Sequence, residues 1–245
     1  MAAPWEALKG KNVGLSERQW ELYDIAEDFS QANDLAATKP AKLAEMKQRF
    51  FDEAARTAIL PIHHIAEGAG GRPSLAADRD RFIFHAGMTR IPEDNAPRVA
   101  GRSFTISADV VIPQGGANGV LITQGGRFGG YAFYVKDDRL MFHYNAIGER
   151  QYPVRSAERL KPGAHRLVAE FSADRLAPGA GGMMSISVDG RIVAKGRIEH
   201  THKGWVSLYE GLDVGEDTLT PVSEDYSVAG SKFGGELKQI TVELR

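Results

Sequence analysis

The sequence predicts a mainly β protein, an antiparallel β-sandwich preceded by a short helical segment. Three observations lead to this prediction. Apolar residues recur at the helical period near residue 45, and from about residue 81 onward they alternate with polar residues, as in a half-buried strand. The 27 glycines and 11 prolines among 245 residues exceed the roughly 12% that these two residues reach in average proteins, which indicates many turns.

The helical segment is predicted within residues 1–60. Pro40 suits the first turn of a helix, where its missing N–H costs nothing. Apolar residues follow at spacings of three, four and four: Leu43, Met46, Phe50 and Ala54. This spacing predicts an amphipathic helix over about residues 40–58, and we expect its apolar face, with Leu43, Met46 and Phe50, to be buried.

Residues 61–80 are predicted to be a linker, because proline and glycine interrupt them too often for a regular element. Residues 81–245 are predicted to be the sandwich domain. Its alternating runs are Phe104–Ile112, Val120–Gln124, Tyr131–Lys136, Leu140–Tyr144, His165–Phe171, Met184–Val188, Arg191–Lys195, Val206–Tyr209 and Leu237–Leu244. Many short strands without intervening helices favour a jelly-roll or concanavalin-like topology.

Turn residues and alternation assign further details of the sandwich. Asp189-Gly190 between two runs favours a type I′ hairpin, since both positions need a positive φ. The glycine-rich run 125–130 leads into a strand rather than a helix, so it is predicted to be a hairpin loop and not a phosphate-binding loop. Alternation predicts that the following side chains face the core: Phe104, Ile106, Val110, Val188, Ile240 and Val242.

Composition argues against several classes of protein. With 30 Lys+Arg, 32 Asp+Glu and a net charge of -2, the chain lacks the basic excess expected for nucleic-acid or membrane-surface binding. The absence of cysteine excludes disulfides, thiolate metal sites and a cysteine nucleophile. No apolar run approaches the length of a membrane span, and the first residues lack the pattern of a signal peptide. As written, the sequence is therefore expected to be soluble and cytoplasmic.

Polar and aromatic residues cluster in the middle strands, where Gln124, Arg127, Tyr131 and Tyr144 surround the glycine-rich hairpin. Amides and arginine can bond sugar hydroxyls, and the planar guanidinium of Arg127 offers paired donors to two oxygens of a sulfate. These four residues are the candidate ligand-binding patch. The alternative is that alternation divides them between core and edge, and that Arg127 pairs with a carboxylate to hold the loop.

Metal-ligating patterns in the sequence are weak. His200-Thr201-His202 places two imidazoles on one face of a strand, but no third ligand is adjacent, so a solvated strand end is expected. His63-His64 lies in the predicted linker. Asp213 and Asp217 belong to an acidic loop region that could supply oxygen ligands to calcium, with a solvated acidic loop as the alternative.

Several segments resemble the carboxy-terminal region of bacterial arylsulfatases, members of the sulfatase family. Residues 20–36, WELYDIAEDFSQANDLA, are similar to a segment that follows the catalytic core of that family. The helix with Leu43 and Phe50 resembles the part that comes next. Residues 115–120, 124–131 and 213–217 look like the extension of the longer members.

The resemblance covers nearly the whole chain but no catalytic segment. The family uses a Cys or Ser in a C/S-x-P-x-R motif, which is converted to formylglycine, together with an aspartate-rich calcium site. Neither is found in this sequence, so no catalytic residue and no cofactor is assigned to it.

The resemblance therefore implies an accessory region of a sulfuric ester hydrolase, inactive alone. Its implied partners are a sulfatase catalytic domain, a glycan or sulfate ester, or further copies of the chain, and the full-length family implies a periplasmic location. A lectin-like carbohydrate-binding module is the alternative function.

Overall fold

The computed structural model describes residues 18–60, 76, 79–207 and 209–245. The chain divides into two compact units, Met1–Arg72 and Pro73–Arg245. Most of the predicted linker, with His63 and His64, lies outside the described residues. Within the described part, no helix is both long and apolar enough to cross a membrane.

The helix of the first unit, α1, spans Pro40–Arg56 and begins at the predicted proline. The predicted burial of its apolar face is wrong in part, because Met46 is 44% exposed and Leu43 and Phe50 are only half-buried. Phe50 packs against the ring of Trp20, with ring centroids 5.3 Å apart, and against the neighbouring Phe51 at 5.4 Å. In the described part of the chain, the apolar stripe of this helix is thus unevenly buried, with Ala54 completely buried and Met46 exposed.

This partial burial sets the expected cost of removing the Phe50 ring. A fully buried phenylalanine loses about 3–5 kcal/mol on truncation to alanine, so we expect about 1–2 kcal/mol for Phe50→Ala. Urea titration followed by the helical circular dichroism signal measures the change. Phe29→Ala is the control, since Phe29 is 93% exposed and its truncation should leave the midpoint unchanged. An equal effect of both variants would contradict the packing of Phe50 on Trp20.

The second unit is built from eleven strands of described residues. They are β1 (Arg81–Phe84), β2 (Phe104–Ile112), β3 (Gly119–Gly126), β4 (Gly129–Lys136), β5 (Arg139–Ala146), β6 (Arg150–Arg159), β7 (Gly163–Ala173), β8 (Gly182–Val188), β9 (Arg191–Ile198), β10 (Leu212–Val214) and β11 (Glu236–Leu244). All of their pairings are antiparallel. One sheet has the order β1-β11-β2-β7-β8-β9 and the other β10-β3-β4-β5-β6.

This architecture confirms the predicted antiparallel sandwich preceded by a short helical segment. The type I′ hairpin is confirmed as well, because Asp189 and Gly190 have φ values of 50° and 82°. The predicted strand Val206–Tyr209 is wrong, since Val206, Ser207 and Tyr209 lie in a loop. Three strands were not anticipated, namely β1, β6 and β10. The first and last of these are short, and every second residue of β6 is exposed to solvent.

The core lies between the two sheets. Five of the six predicted core residues are at most 3% exposed, whereas Val188 is only partly buried. The five are Phe104, Ile106, Val110, Ile240 and Val242. A second, smaller cluster lies on the other face of the five-stranded sheet, where Tyr134 and Met141 pack under Val222 and Tyr226. The segment between β10 and β11 therefore covers part of that sheet's outer surface.

Candidate functional site

The β3–β4 hairpin carries the glycine-rich run at one end of the sandwich. β3 ends at Gly126 and β4 begins at Gly129, so Arg127 and Phe128 form the turn, as predicted for a hairpin loop. Gly125 has a φ of 84°, and a Cβ added there would collide with the carbonyl oxygen of Gly129. Glycine is therefore required at this position, both for the backbone conformation and for the close approach of the two strands.

A buried polar network lies directly behind the turn. The Gln124 amide donates to Glu93 Oε2 at 2.8 Å, and the Tyr131 hydroxyl donates to Gln124 Oε1 at 3.1 Å. Burial raises the pKa of Glu93, and the hydrogen bonds it accepts oppose that shift. The backbone N–H of Val206 donates to Glu93 Oε1 at 2.8 Å, so this carboxyl ties the loop after β9 to the hairpin.

Tyr144 and His202 form a second buried pair beside this network. Tyr144 Oη lies 2.6 Å from His202 Nδ1 and accepts the backbone N–H of His202 at 2.9 Å. Either the hydroxyl or the ring N–H supplies the proton of the Tyr144–His202 bond, according to the tautomer of the imidazole. Burial lowers the pKa of His202, in keeping with a neutral ring. Nε2 has no hydrogen-bond partner among the described residues, and a Cβ added at Gly129 would lie 2.7 Å from it.

Three exposed aromatic rings lie in the loops at this end of the sandwich. Phe128 is 76% exposed, Tyr209 87% and Trp205 49%. Backbone contacts place these segments together, because a Cβ at Gly129 would lie 3.4 Å from the carbonyl oxygen of Val206. The hairpin and the loop that carries Trp205 and Tyr209 are thus adjacent, and we call this surface the hairpin rim: Arg127, Phe128, Trp205 and Tyr209.

The backbone of Arg127 is anchored while its side chain is free. Its N–H donates to Thr220 Oγ1 at 2.9 Å, and its carbonyl accepts from Asn145 Nδ2 at 3.0 Å. The guanidinium forms no hydrogen bond or ion pair with any residue that the structure describes. The alternative that Arg127 holds the loop through a carboxylate is therefore wrong for the described part of the chain. The backbone bonds hold the loop instead.

The structure brings all four predicted site residues to the same end of the sandwich, but three of them are buried and one is exposed. Gln124 and Tyr131 are completely buried and Tyr144 is 3% exposed, whereas Arg127 is exposed. A ligand on the surface cannot reach the three buried side chains, because they point into the sandwich from the inner face of the sheet. The patch as predicted is corrected to Arg127 alone, with the other three residues acting as its support.

Sequence reasoning missed several residues of this end. Glu93 sits in a short 3₁₀ turn between β1 and β2, where no pattern marks it as a partner of β3. His202 was expected at a solvated strand end, but it is 5% exposed because Tyr144 and the hairpin cover it. Phe128, Trp205 and Tyr209 carried a usable signal, since each is an aromatic residue within a polar or glycine-rich loop.

The candidate calcium ligands are engaged by protein donors. Asp213 Oδ2 accepts the backbone N–H and the hydroxyl of Thr218, both at 2.7 Å. Asp217 Oδ2 accepts the Tyr226 hydroxyl at 2.8 Å, and burial raises the pKa of Asp217 to about 6. In the described ranges, no group of three or more His, Asp or Glu residues is arranged to hold a metal ion. Both aspartates are buried rather than solvated, in contrast to the alternative of an exposed acidic loop.

No protein-family model matches the chain, and no curated protein matches it. Several solved structures are similar to it at low sequence identity. Domains LG4-5 of the mouse laminin α1 chain are 15% identical with a TM-score of 0.41, over 67% of this chain and 42% of that chain. The Ruminococcus gnavus IT-sialidase CBM40 bound to α2,3 sialyllactose is 13% identical with a TM-score of 0.43, over 67% and 89% of the two chains.

A native heptameric SAP-like pentraxin from Limulus polyphemus is 14% identical, with a TM-score of 0.33 over 68% of this chain and 75% of that chain. This chain thus spans less than half of the laminin structure and most of the other two. At these identities and TM-scores the likeness concerns the antiparallel sandwich alone. The resemblance to arylsulfatase carboxy-terminal regions stays a prediction.

Proposed function

We propose that the protein is a carbohydrate-binding, lectin-like module that holds a sulfated or otherwise anionic glycan at the hairpin rim. One observation carries this proposal. An exposed guanidinium, at Arg127, has no partner among the described residues and stands in the same loop cluster as the exposed rings of Phe128, Trp205 and Tyr209. An unpaired cation beside exposed aromatic rings is suited to a ligand that has both charge and an apolar face.

The chemistry of the rim fits a sulfated sugar. A guanidinium presents parallel N–H donors that match two oxygens of a sulfate or carboxylate. Aromatic side chains offer a large apolar surface at little cost in conformational entropy, and the C–H face of a sugar ring is itself apolar. Arg127 would therefore fix the charged group while one or more rings receive the sugar face.

The buried network supports binding by keeping the rim rigid. Glu93 links the loop after β9 to β3, while Asn145 of β5 and Thr220 of the loop after β10 hold the hairpin turn. A surface that is already ordered loses less entropy when it binds. This support accounts for the burial of Gln124 and Tyr131 at positions where the sequence suggested direct contact.

Several features favour binding over catalysis at this end. Of the histidines near the hairpin, His202 is neutral and buried, and His143 is 7% exposed with a pKa lowered by burial. Neither ring is accessible as a base to a ligand on the rim. That the module serves as the accessory region of a sulfuric ester hydrolase, next to a catalytic domain, is a further proposal that depends on the sequence resemblance alone.

The test is retention of the Arg127→Ala variant on a sulfated polysaccharide. In affinity electrophoresis through gels containing dextran sulfate, we expect the variant to lose about 10- to 100-fold in affinity, since bonds to charged groups contribute about 1.5–3 kcal/mol. Its thermal stability should stay unchanged, because the guanidinium forms no hydrogen bond or ion pair with the described residues. Retention of the wild type should weaken with salt.

Two controls separate a specific site from bulk charge. Lys238→Ala removes the same charge from an exposed position on β11, in the other sheet, and should leave retention unchanged. Phe128→Ala should weaken binding to sulfated dextran without affecting stability. Equal loss in Arg127→Ala and Lys238→Ala would contradict the proposal, as would equal retention of the wild type on uncharged dextran.

A further inference from the structure

A cleft with a cationic lining opens at the other end of the sandwich, far from the hairpin rim. It lies between β6 of one sheet and β8 and β9 of the other, close to the β4–β5 turn, where the Leu160 N–H donates to the carbonyl oxygen of Asp138. The cleft encloses about 300 Å³. This volume is at the lower end of the range for small-molecule pockets, which start near 300 Å³.

The charges around the cleft favour an anion. Three cationic side chains, Arg159, Lys161 and Arg191, line it, against two carboxylates, Glu158 and Asp189. Glu158 neutralises Arg191 through a two-pronged ion pair, with Nη1 and Oε1 3.1 Å apart. Asp189 is engaged elsewhere, because its two carboxylate oxygens lie 2.7 Å from His165 Nδ1 and 2.8 Å from the backbone N of Arg166.

Two of the three cationic side chains, Arg159 and Lys161, have no close carboxylate partner among the described residues. Arg159 has only a long contact to Asp138, with Nη1 and Oδ2 3.9 Å apart, and its side chain is 64% exposed. Lys161 is exposed, and its ammonium pairs with no carboxylate in the part of the chain that the structure describes. Exposed ion pairs such as Glu158–Arg191 contribute little stability, so an incoming anion can also compete for the Arg191 guanidinium.

The floor of the cleft is apolar and fixed. Leu160 from the β6 side and Val188 and Val193 from the β8–β9 side supply aliphatic surface. His165 forms part of the wall and is held from both ring nitrogens, by Asp189 and by the carbonyl oxygen of Lys161 at 2.8 Å. A ligand that fills this space needs one negative charge for the cations and an apolar body for the floor.

We propose that this cleft binds a small organic anion, with one carboxylate or sulfonate on a compact apolar body. Lys161 and Arg159 hold the charged group, and the aliphatic floor receives the body. This site is independent of the hairpin rim, since the two lie at opposite ends of β4. The inference therefore stands or falls separately from the proposed glycan binding.

Benzoate is a suitable probe, and binding is measured by titration in isothermal calorimetry or by amide chemical shifts. A ligand of this size and efficiency should bind with a Kd of roughly 1 mM. Lys161→Ala should weaken binding at least fivefold while leaving the melting temperature unchanged. Raising the salt concentration should weaken wild-type binding, since the pairing groups are exposed.

Matched controls make each outcome decisive. Lys195→Ala removes an exposed ammonium from β9 that does not line the cleft, and it should bind benzoate as the wild type does. Benzyl alcohol tests the need for charge, and inorganic sulfate tests the need for the apolar body, so both should bind more weakly than benzoate. Absence of binding, equal affinity for either control ligand, or equal loss in the two lysine variants would overturn the proposal.

Discussion

Replacing Gly125 by alanine should destabilise the sandwich by about 2–6 kcal/mol. The residue has a φ of 84°, which an L side chain adopts only with strain of about 1–3 kcal/mol. Its added Cβ would also meet the backbone of Gly129 and Gly130 on the facing strand, and that backbone must shift. Such overpacking costs a further 1–3 kcal/mol or so. Urea unfolding of purified variants measures the sum.

Gly87 offers a closely matched control for the strain alone. Its φ is 86°, within a few degrees of that of Gly125, but a Cβ added there would meet nothing within 4 Å. Gly87→Ala should therefore cost only the strain of the left-handed conformation, about 1–3 kcal/mol. If both variants lose the same stability, the close approach of β3 and β4 at Gly125 is contradicted.

The position of Gly125 links this loss of stability to the proposed site. It lies between Gln124 of the buried network and the turn that carries Arg127. A displacement of β3 should move both the buried network and the turn, so the Gly125→Ala variant should also bind dextran sulfate more weakly. Gly87→Ala should keep it.

Asp217 should make the folded state less stable as the pH rises from about 4 to 6. Burial raises its pKa from 3.8 to about 6, and the nearby carboxylates of Asp213 and Glu210 add to the shift. Below pH 4 both the folded and the unfolded chain hold the proton, so the group contributes no penalty. Between the two values the unfolded chain releases the proton while the folded chain retains it, and the free energy of unfolding falls.

The Asp217→Asn variant isolates this contribution. A shift of about two pKa units corresponds to about 3 kcal/mol, so the stability of the variant relative to the wild type should rise by about 2–3 kcal/mol between pH 4 and pH 7. The difference in unfolding free energy between variant and wild type is compared across pH, so any pH-independent cost of the amide cancels. The amide oxygen can still accept the hydrogen bond from the Tyr226 hydroxyl. Chemical denaturation at a series of pH values gives the required curves.

Asp137→Asn is the control for removing one negative charge. Asp137 is exposed in the β4–β5 turn at a φ of 50°, a conformation that asparagine tolerates. Its stability difference from the wild type should change far less with pH than that of Asp217→Asn. A pH-independent difference for Asp217→Asn would show that the buried carboxyl is not the source of the predicted slope.

Much of the sandwich follows from local patterns. The alternation from Phe104 to Ile112 predicts β2 with its exact bounds, because one face of that strand packs against the other sheet along its whole length. The same period misled at Val206–Tyr209, where an alternating run is held in a loop by the carboxyl of Glu93. β6 was missed because only one of its faces meets the core, so most of its residues are polar.

The helix shows the same division between pattern and packing. Its start at Pro40 follows from the fixed φ and the missing N–H of proline, which are properties of one residue. The burial of Met46 and Phe50 depends on what covers them. Among the described residues, Trp20 and Phe51 pack beside Phe50, whereas Met46 is 44% exposed. Periodicity identifies a face of the helix, but it cannot supply the partner.

For the candidate site, the sequence by itself determined the hairpin, its glycines and the grouping of Gln124, Arg127, Tyr131 and Tyr144, since strand register follows from alternation and turn length. Only the tertiary structure decided which of them meet solvent. Glu93 and His202 come from loops distant in sequence and provide hydrogen-bond partners for Gln124 and Tyr144. An unpaired polar group inside a sandwich is costly, so these partners allow the two side chains to be buried. Arg127 sits in the turn beyond the last paired residues, where no described carboxylate reaches it, and so it alone remains free for a ligand.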